Sequence, residues 1–188
     1  PLPVMFFNKK IKNFRLNSES FKLKLFNRNK VDFVINIKFN KKFSKLSAEN
    51  FVKEIIYKKL SPRLLAVSRN FKFGHNRKGD IQMLKKYSYK YNYRLHNTKP
   101  FKYLGKIVSS TRIRDYLKNG NINLANKLLS RTWFIEGVVQ KGKKIGRKLG
   151  YRTCNISIKN YILPKLGIYA VRVSIGDTNK KYKGIAYL

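Results

Sequence analysis

The spacing of apolar residues changes period partway along this 188-residue chain, and that change limits the fold more than any other feature. Up to about residue 130, short apolar runs alternate with segments of helical spacing. Val4-Met5-Phe6-Phe7, Phe33-Val34-Ile35-Asn36-Ile37 and Leu64-Leu65-Ala66-Val67 read as strands, the second of them buried. Phe21, Leu23, Leu25 and Phe26 read as a helix. Ser47 is placed to cap another, in which Phe51, Val52, Ile55 and Ile56 recur at helical spacing. Pro62 stops that helix because proline cannot continue it. A helix over 78–87, a strand over 91–95 and short helices over 111–119 and 124–130 follow, with Gly120 in a C-cap position. Strands alternating with helices predict βαβ units and a mostly parallel sheet.

Past Trp133 the helical period disappears. Residues 135–139, 153–158, 168–175 and 182–186 read as strands separated by polar or glycine-rich turns. Val171, Val173 and Ile175 alternate with Arg172 and Ser174, the mark of a strand with one face in a core and of an antiparallel sheet. The boundary falls near 131–133, which divides the chain into 1–131, α/β, and 132–188, antiparallel β. No internal repeat stands out.

Composition excludes some classes of function and leaves others open. Hydrophobic residues make up 43%, enough for a core, yet no run approaches the roughly 18 apolar residues of a transmembrane helix. No secretory leader pattern opens the chain, and one cysteine, Cys154, permits no internal disulfide framework or cysteine-rich zinc site. The expected compartment is the cytoplasm. The chain starts at Pro1 and stops inside an apolar run at Leu188, so both ends read as cuts. Lys plus Arg number 44 against 8 acids, a net charge of +36 that would attract any polyanion. The cations are spread along the whole chain, however, and no nucleic-acid-binding module is present. Lys, Asn, Ile, Tyr and Phe are all abundant and share A/T-rich codons, so genome bias accounts for this composition without selection for RNA binding.

Three constellations could carry chemistry. The first, Asn70-Phe71-Lys72-Phe73-Gly74-His75-Asn76-Arg77-Lys78-Gly79-Asp80, follows the strand ending at Val67. Ligands in open α/β sheets sit at the carboxyl ends of strands, and Asn70, Phe71, Phe73 and Gly74 suit a planar ring; a basic surface turn would read the same way. The second, Ser109-Ser110-Thr111-Arg112-Ile113-Arg114, places hydroxyls and two guanidinium groups at a helix start, where free N–H groups and the dipole favour an anion. An ordinary cap with two surface arginines is the alternative. The third, Gly142 to Gly150 followed by Thr153 and Asn155, combines a loop able to approach a phosphate with two oxygen-bearing side chains on one face of a strand. Such a pair can help hold Mg²⁺, while a Lys/Gly hairpin is the plain alternative.

Taken in order, these segments resemble the bacterial bifunctional riboflavin kinase/FAD synthetases. Asp32 to Val52, Phe71-x-Phe73-Gly74-x-x-Arg77-x-Gly79-Asp80, Ser109 to Arg114, Asn119-Gly120 and Ala125-Asn126-x-Leu128-Leu129 follow that family's order and approximate spacing. Gly137-x-Val139, Gly146-Arg147-x-Leu149-Gly150, Thr153-x-Asn155-Ile156 and Gly167-x-Tyr169-Ala170-Val171 continue it. The resemblance covers nearly the whole chain. It implies a Rossmann-like nucleotidyltransferase over 1–131 that joins FMN and ATP into FAD and pyrophosphate. Over 132–188 it implies the first part of an antiparallel barrel that phosphorylates riboflavin. By the same resemblance, Ser109, Ser110, Thr111, Arg112 and Arg114 bind the ATP phosphates, and Asn70, Phe71, Phe73 and Gly74 form the flavin side. Gly142, Gly146, Arg147 and Gly150 serve the kinase nucleotide, and Thr153 and Asn155 serve Mg²⁺. Flavins and ATP are then the partners, with no specific nucleic acid and no membrane.

The departures are specific. The family's His-x-Gly-His motif would precede Pro1, and neither His75 nor His96 matches it. The kinase's catalytic glutamate would lie beyond Leu188, and Glu136 is not at its position. Arg152 and Cys154 stand where the family has proline and alanine, and Ser68 where it often has glycine. The expectation is little or no activity of either kind from these 188 residues alone. A decayed remnant and a basic RNA-binding protein are the rival readings.

Overall fold

A computed structural model of the chain describes residues 2–142, 146, 150–151, 153–176, 178 and 180–188. It divides into two compact units: residues 1–9 with 36–108, and residues 10–35 with 109–188.

The first unit contains helices α1 (Pro3–Phe7), α3 (Lys41–Ser44) and α4 (Ala48–Asn50), the last running on as a π-helix over Phe51–Leu60. Strand β1 (Leu64–Ser68), a 3₁₀ turn (His75–Arg77), α5 (Ile81–Tyr91) and β2 (Arg94–Thr98) follow, then the short strands β3 (Lys102–Tyr103) and β4 (Lys106–Ile107). The Ser47 hydroxyl accepts from the Asn50 N–H, which is the cap read from sequence. The π-helix ends on Ser61, whose φ of 41° leaves the helical region just before Pro62. β1 and β2 pair in parallel, Leu64 opposite Arg94 through Ser68 opposite Thr98. The crossover between them is α5. Buried Val52, Ile56, Phe73, Leu84 and Tyr93 form the core, with Leu65, Val67 and Leu95 packed on it from the two strands.

The second unit holds α2 (Glu19–Arg28), α6 (Ser110–Lys118), α7 (Ile122–Leu129) and strands β5 (Val139–Gln140), β6 (Asn155–Ile156), β7 (Ile168–Val173) and β8 (Tyr182–Tyr187). β5–β6 and β7–β8 are antiparallel pairs, as the alternation predicts. They are separate two-stranded sheets, and no closed barrel forms among the described residues. The segment 13–17 is a strap. Phe14 and Arg15 N–H groups both donate to Asn160 O, Ile162 N–H donates to Arg15 O, and the Trp133 indole donates to Leu16 O.

Several elements differ from the sequence reading. Residues 4–7 are helical, not a strand: Pro3 fits the first helical position, and Met5 and Phe6 N–H groups donate to Leu2 O. Residues 33–37 form no ladder among the described residues, and Phe33 is 89% exposed, so the expected buried strand does not form. The helix expected over 78–87 starts at Ile81 because Asp80 caps it, its carboxylate accepting from Met83 N–H at 3.1 Å. That shift carries the next strand from 91–95 to Arg94–Thr98. Among the described residues the parallel sheet is two strands wide. The strand expected over 135–139 pairs only at Val139–Gln140, and that over 153–158 only at Asn155–Ile156. No helix among the described residues is long and apolar enough to cross a membrane.

Candidate functional site

The loop 69–80 leaves the carboxyl end of β1 in the first unit. Its backbone closes on itself: Phe73 and Gly79 exchange both N–H···O bonds, at 3.1 and 2.9 Å. Gly79 is buried because the Phe73 ring covers it; a Cβ there would lie 2.5 Å from that ring. Gly74 has a φ of +73°, and a Cβ would lie 2.5 Å from Ala48 Cα, so both conformation and space demand glycine. His75 completes the brace, its N–H donating to Leu46 O at 2.7 Å and its ring nitrogen meeting Ser44 O at 3.0 Å. The rings of Phe71 and Phe73 stack at 5.5 Å, and Phe73 meets Phe51 at 5.3 Å. Phe71 is half-buried and Asn70 exposed beside it. The result is a fixed aromatic wall with an amide at its edge. Asp80 holds the far end; the N–H of Met83 and the Lys72 ammonium keep its carboxyl below the usual range.

The second constellation opens α6 in the second unit. Ser109 is the N-cap, its hydroxyl accepting from Arg112 N–H at 3.2 Å. Ser110 and Thr111 are exposed on the first turn, where N–H groups lack intrahelical partners and the dipole is positive. Arg112 donates from Nε and Nη2 to the Tyr116 hydroxyl at 3.3 and 3.1 Å, which holds it along the helix. Arg114 goes elsewhere. Its Nε donates to Phe14 O at 2.8 Å, and its guanidinium lies 3.7 Å from the centroid of the Phe14 ring. Burial there lowers its pKa. The hydroxyls and Arg112 therefore share the helix start, while Arg114 is engaged with the strap.

The third constellation is brought together by the β5–β6 hairpin. A Cβ on Gly142 would lie 2.0 Å from Asn155 Nδ2, and one on Gly146 2.6 Å from Thr153 Cγ2. Gly142 and Gly146 thus sit against the two oxygen-bearing side chains, in space that only glycine leaves. Gly150 has a φ of +79° and is exposed. Arg147 and Arg152 lie outside the described residues. No cluster of three His, Cys, Asp or Glu side chains suited to a metal exists among the described residues. The donors available for a hard cation are therefore the Thr153 hydroxyl and the Asn155 amide oxygen, which fit a weakly held, phosphate-bridged Mg²⁺.

The sequence reading named Asp80 within the loop motif but not its role as the cap of α5, and it did not single out Tyr116 or Phe14. An acidic residue three positions before Met83 is an N-cap signal that could have revealed Asp80, and Tyr116 stands four residues after Arg112 on one helix face. No local signal marks Phe14, which lies 100 residues before its partner.

Comparison with known proteins supplies the context. A protein-family model described as FAD synthetase matches residues 1–112, and one described as riboflavin kinase matches residues 129–188. A bifunctional riboflavin kinase/FMN adenylyltransferase of Buchnera aphidicola subsp. Schizaphis graminum is 43% identical over 98% of this chain and 59% of its own length. The protein of the same description from Escherichia coli (strain K12) is 35% identical over 83% of this chain and 50% of its own. The chain thus spans about half the length of the curated relatives it matches. A solved structure described as a macrolide-efflux protein from Streptococcus pneumoniae superposes with a TM-score of 0.78 at 26% identity, covering 92% of this chain and 55% of that one.

Proposed function

Because the chain belongs to the FAD synthetase family and carries a riboflavin kinase segment behind it, we propose that it serves FAD synthesis through two ATP-dependent steps. In one step, an FMN phosphate oxygen attacks the α-phosphorus of ATP, the bond to the β-phosphate breaks, and FAD and pyrophosphate form. In the other, a riboflavin hydroxyl attacks the γ-phosphorus of ATP, the bond to the β-phosphate breaks, and FMN and ADP form. On this reading residues 1–131 are a Rossmann-like nucleotidyltransferase domain and residues 132–188 the first part of an antiparallel kinase barrel, both working in the cytoplasm.

The observation that carries the reading is the braced wall of Phe71 and Phe73 at the carboxyl end of a parallel strand, with Asn70 at its edge. Here Phe71 stacks with the flavin ring, buried Phe73 backs Phe71 from behind, Asn70 hydrogen-bonds the flavin edge, and Gly74 lets the loop turn close. Ser110, Thr111 and the free N–H groups of α6 take ATP phosphates, with Ser109 capping the turn, Arg112 as the adjacent cation and Arg114 fixing the helix start or joining them. Transfer of this kind depends on positioning and charge neutralisation more than on a protein base, which suits a chain with 8 acids and 2 histidines. In the kinase half, Gly142, Gly146, Arg147 and Gly150 approach the nucleotide, and Thr153 and Asn155 hold Mg²⁺. The metal, when bound, neutralises phosphate charge. The efflux activity named for the Streptococcus pneumoniae structure is not carried over, because both family matches name flavin enzymes.

Titration of FMN and of ATP into the full chain tests this. Saturable quenching of flavin fluorescence is expected. Phe71→Ala should weaken FMN about tenfold, the order of one lost stacking contact. A Ser110→Ala/Thr111→Ala double variant should weaken ATP about tenfold, as for lost hydrogen bonds to a charged group, and leave FMN unchanged. No saturable FMN binding, or binding indifferent to Phe71, overturns the reading and favours a remnant without activity.

A further inference from the structure

The amino ends of β1 and β2 carry a second cleft, at the opposite end of the strand pair from the flavin loop. The π-helix and α5 both stop there, on left-handed residues, Ser61 with φ 41° and Asn92 with φ 51°. Between them lies a cleft of about 220 Å³ lined by Tyr57, Tyr91, Ser61, Asn92 and Arg63, with Tyr93 behind. Tyr57 stacks on Tyr91 at 4.1 Å and 15°, and Tyr87 on Tyr91 at 5.5 Å and 10°, so three phenol rings lie nearly parallel across the two helices. Tyr57 remains 44% exposed. The Tyr93 hydroxyl is committed to Leu84 O at 2.6 Å and closes the cleft instead of lining it with a donor. Among the described residues, the side chains of Ser61 and Asn92 make no hydrogen bond.

Charge decides what such a cleft attracts. Two helix C-termini bring about half a negative charge each. Against them stand Arg63 in the lining and Lys58, Lys59 and Lys90 in the last turns, with Glu54 the acid of the same helix and already paired to Lys58 at 3.0 Å. The balance is positive, so an anion is preferred over an organic cation. The volume holds one flat ring. The last-turn carbonyls, Ser61 and Asn92 offer acceptors and donors to a ring edge, and the tyrosine ladder offers a face.

We propose that this cleft is a binding site for a nucleoside monophosphate, its base stacked at Tyr57 and its phosphate held by Arg63, separate from the flavin loop. Each part of the ligand answers a part of the cleft: ring to phenol face, base edge to helix-end carbonyls, phosphate to guanidinium. The binding expected is weak and salt-dependent, since the cleft is open and the cations are solvated.

Equilibrium dialysis of the full chain against labelled UMP tests it, because UMP is neither substrate nor product of the flavin chemistry. Saturable binding is expected, about tenfold weaker in Tyr57→Ala by loss of one stacked base, weaker in Arg63→Gln, and unchanged in Phe71→Ala. Uridine should bind less well than UMP, and inorganic phosphate should compete poorly. Circular dichroism melts check that each variant is folded; if Tyr57→Ala is not, Arg63→Gln with the uridine and phosphate competitions decides. No UMP binding, binding indifferent to Tyr57 and Arg63 in folded protein, or phosphate competing as well as UMP overturns the proposal. So does oligo(U) binding that ignores Tyr57, which would mark a general polyanion surface.

Discussion

Gly74 shows how much one position can decide. Its φ of +73° is strained for any side chain, and Ala48 Cα would stand 2.5 Å from a Cβ. Gly74→Ala should cost about 2 kcal/mol or more. It should also loosen the Phe71–Phe73 wall, so a lower melting temperature and weaker FMN quenching are expected together. Tyr93 makes a different prediction. Burial, and then the neighbouring Tyr91, push its phenol up to about 12 from 10.0. A raised pKa means that folding favours the neutral form: its contribution is complete below pH 10 and lost as pH rises from 10 towards 12. Alkaline melts should therefore show a fall in stability over that window. Tyr93→Phe should remove that component while costing about 1 kcal/mol at neutral pH for the lost bond to Leu84 O.

At the scale of elements, α6 and the strap matter most. α6 presents the turn proposed to take phosphate because its other face is anchored: Leu117 is fully buried and Ile113 nearly so. Leu117→Ala should destabilise by about 2–5 kcal/mol, whereas Ser109→Ala should cost about 1 kcal/mol through the lost cap; denaturant melts separate the two. Glu136 ties α2 to the start of the β region by accepting from the Ser18 and Ser20 hydroxyls. Those two bonds, Ser18 first, hold its carboxyl below 4.5. A lowered pKa contributes stability that is present above the unfolded value and lost as pH falls below it. Glu136→Gln should thus flatten the acid limb of the stability profile below about pH 4.5, measured by melts across that range.

For the molecule as a whole, a net charge of +36 is the dominant long-range term. Self-repulsion of that size opposes compaction, and salt screens it, since the Debye length falls from about 10 Å at 0.1 M to about 3 Å at 1 M. Raising NaCl across this range should raise the melting temperature of the chain; an unchanged or lower midpoint would mean that attractive pairs outweigh repulsion. The second compact unit joins residues 10–35 to 109–188. Arg131 lies over the rings of Phe21 and Phe134, Phe21 meets Phe134 at 4.3 Å, and Trp133 donates to Leu16 O.

What sequence alone determined here is what depends on neighbours a few residues apart. The cap at Ser47, the stop at Pro62 and the alternation in β7 all express local geometry, and each stands where its residues predict, while the cap expected before residue 111 stands one residue earlier, at Ser109. The order of the motifs carried the family likeness, because order is itself a property of the sequence. Tertiary structure decided the rest. A run such as 33–37 is a strand only if another strand lies beside it, and 4–7 took the helical alternative once Pro3 began a turn. Arg114 found Phe14 through a contact whose chain separation carries no local signal. Hydrogen bonds and ring contacts between distant residues form only after the chain has brought them together, so the spacing of residues along it cannot announce them.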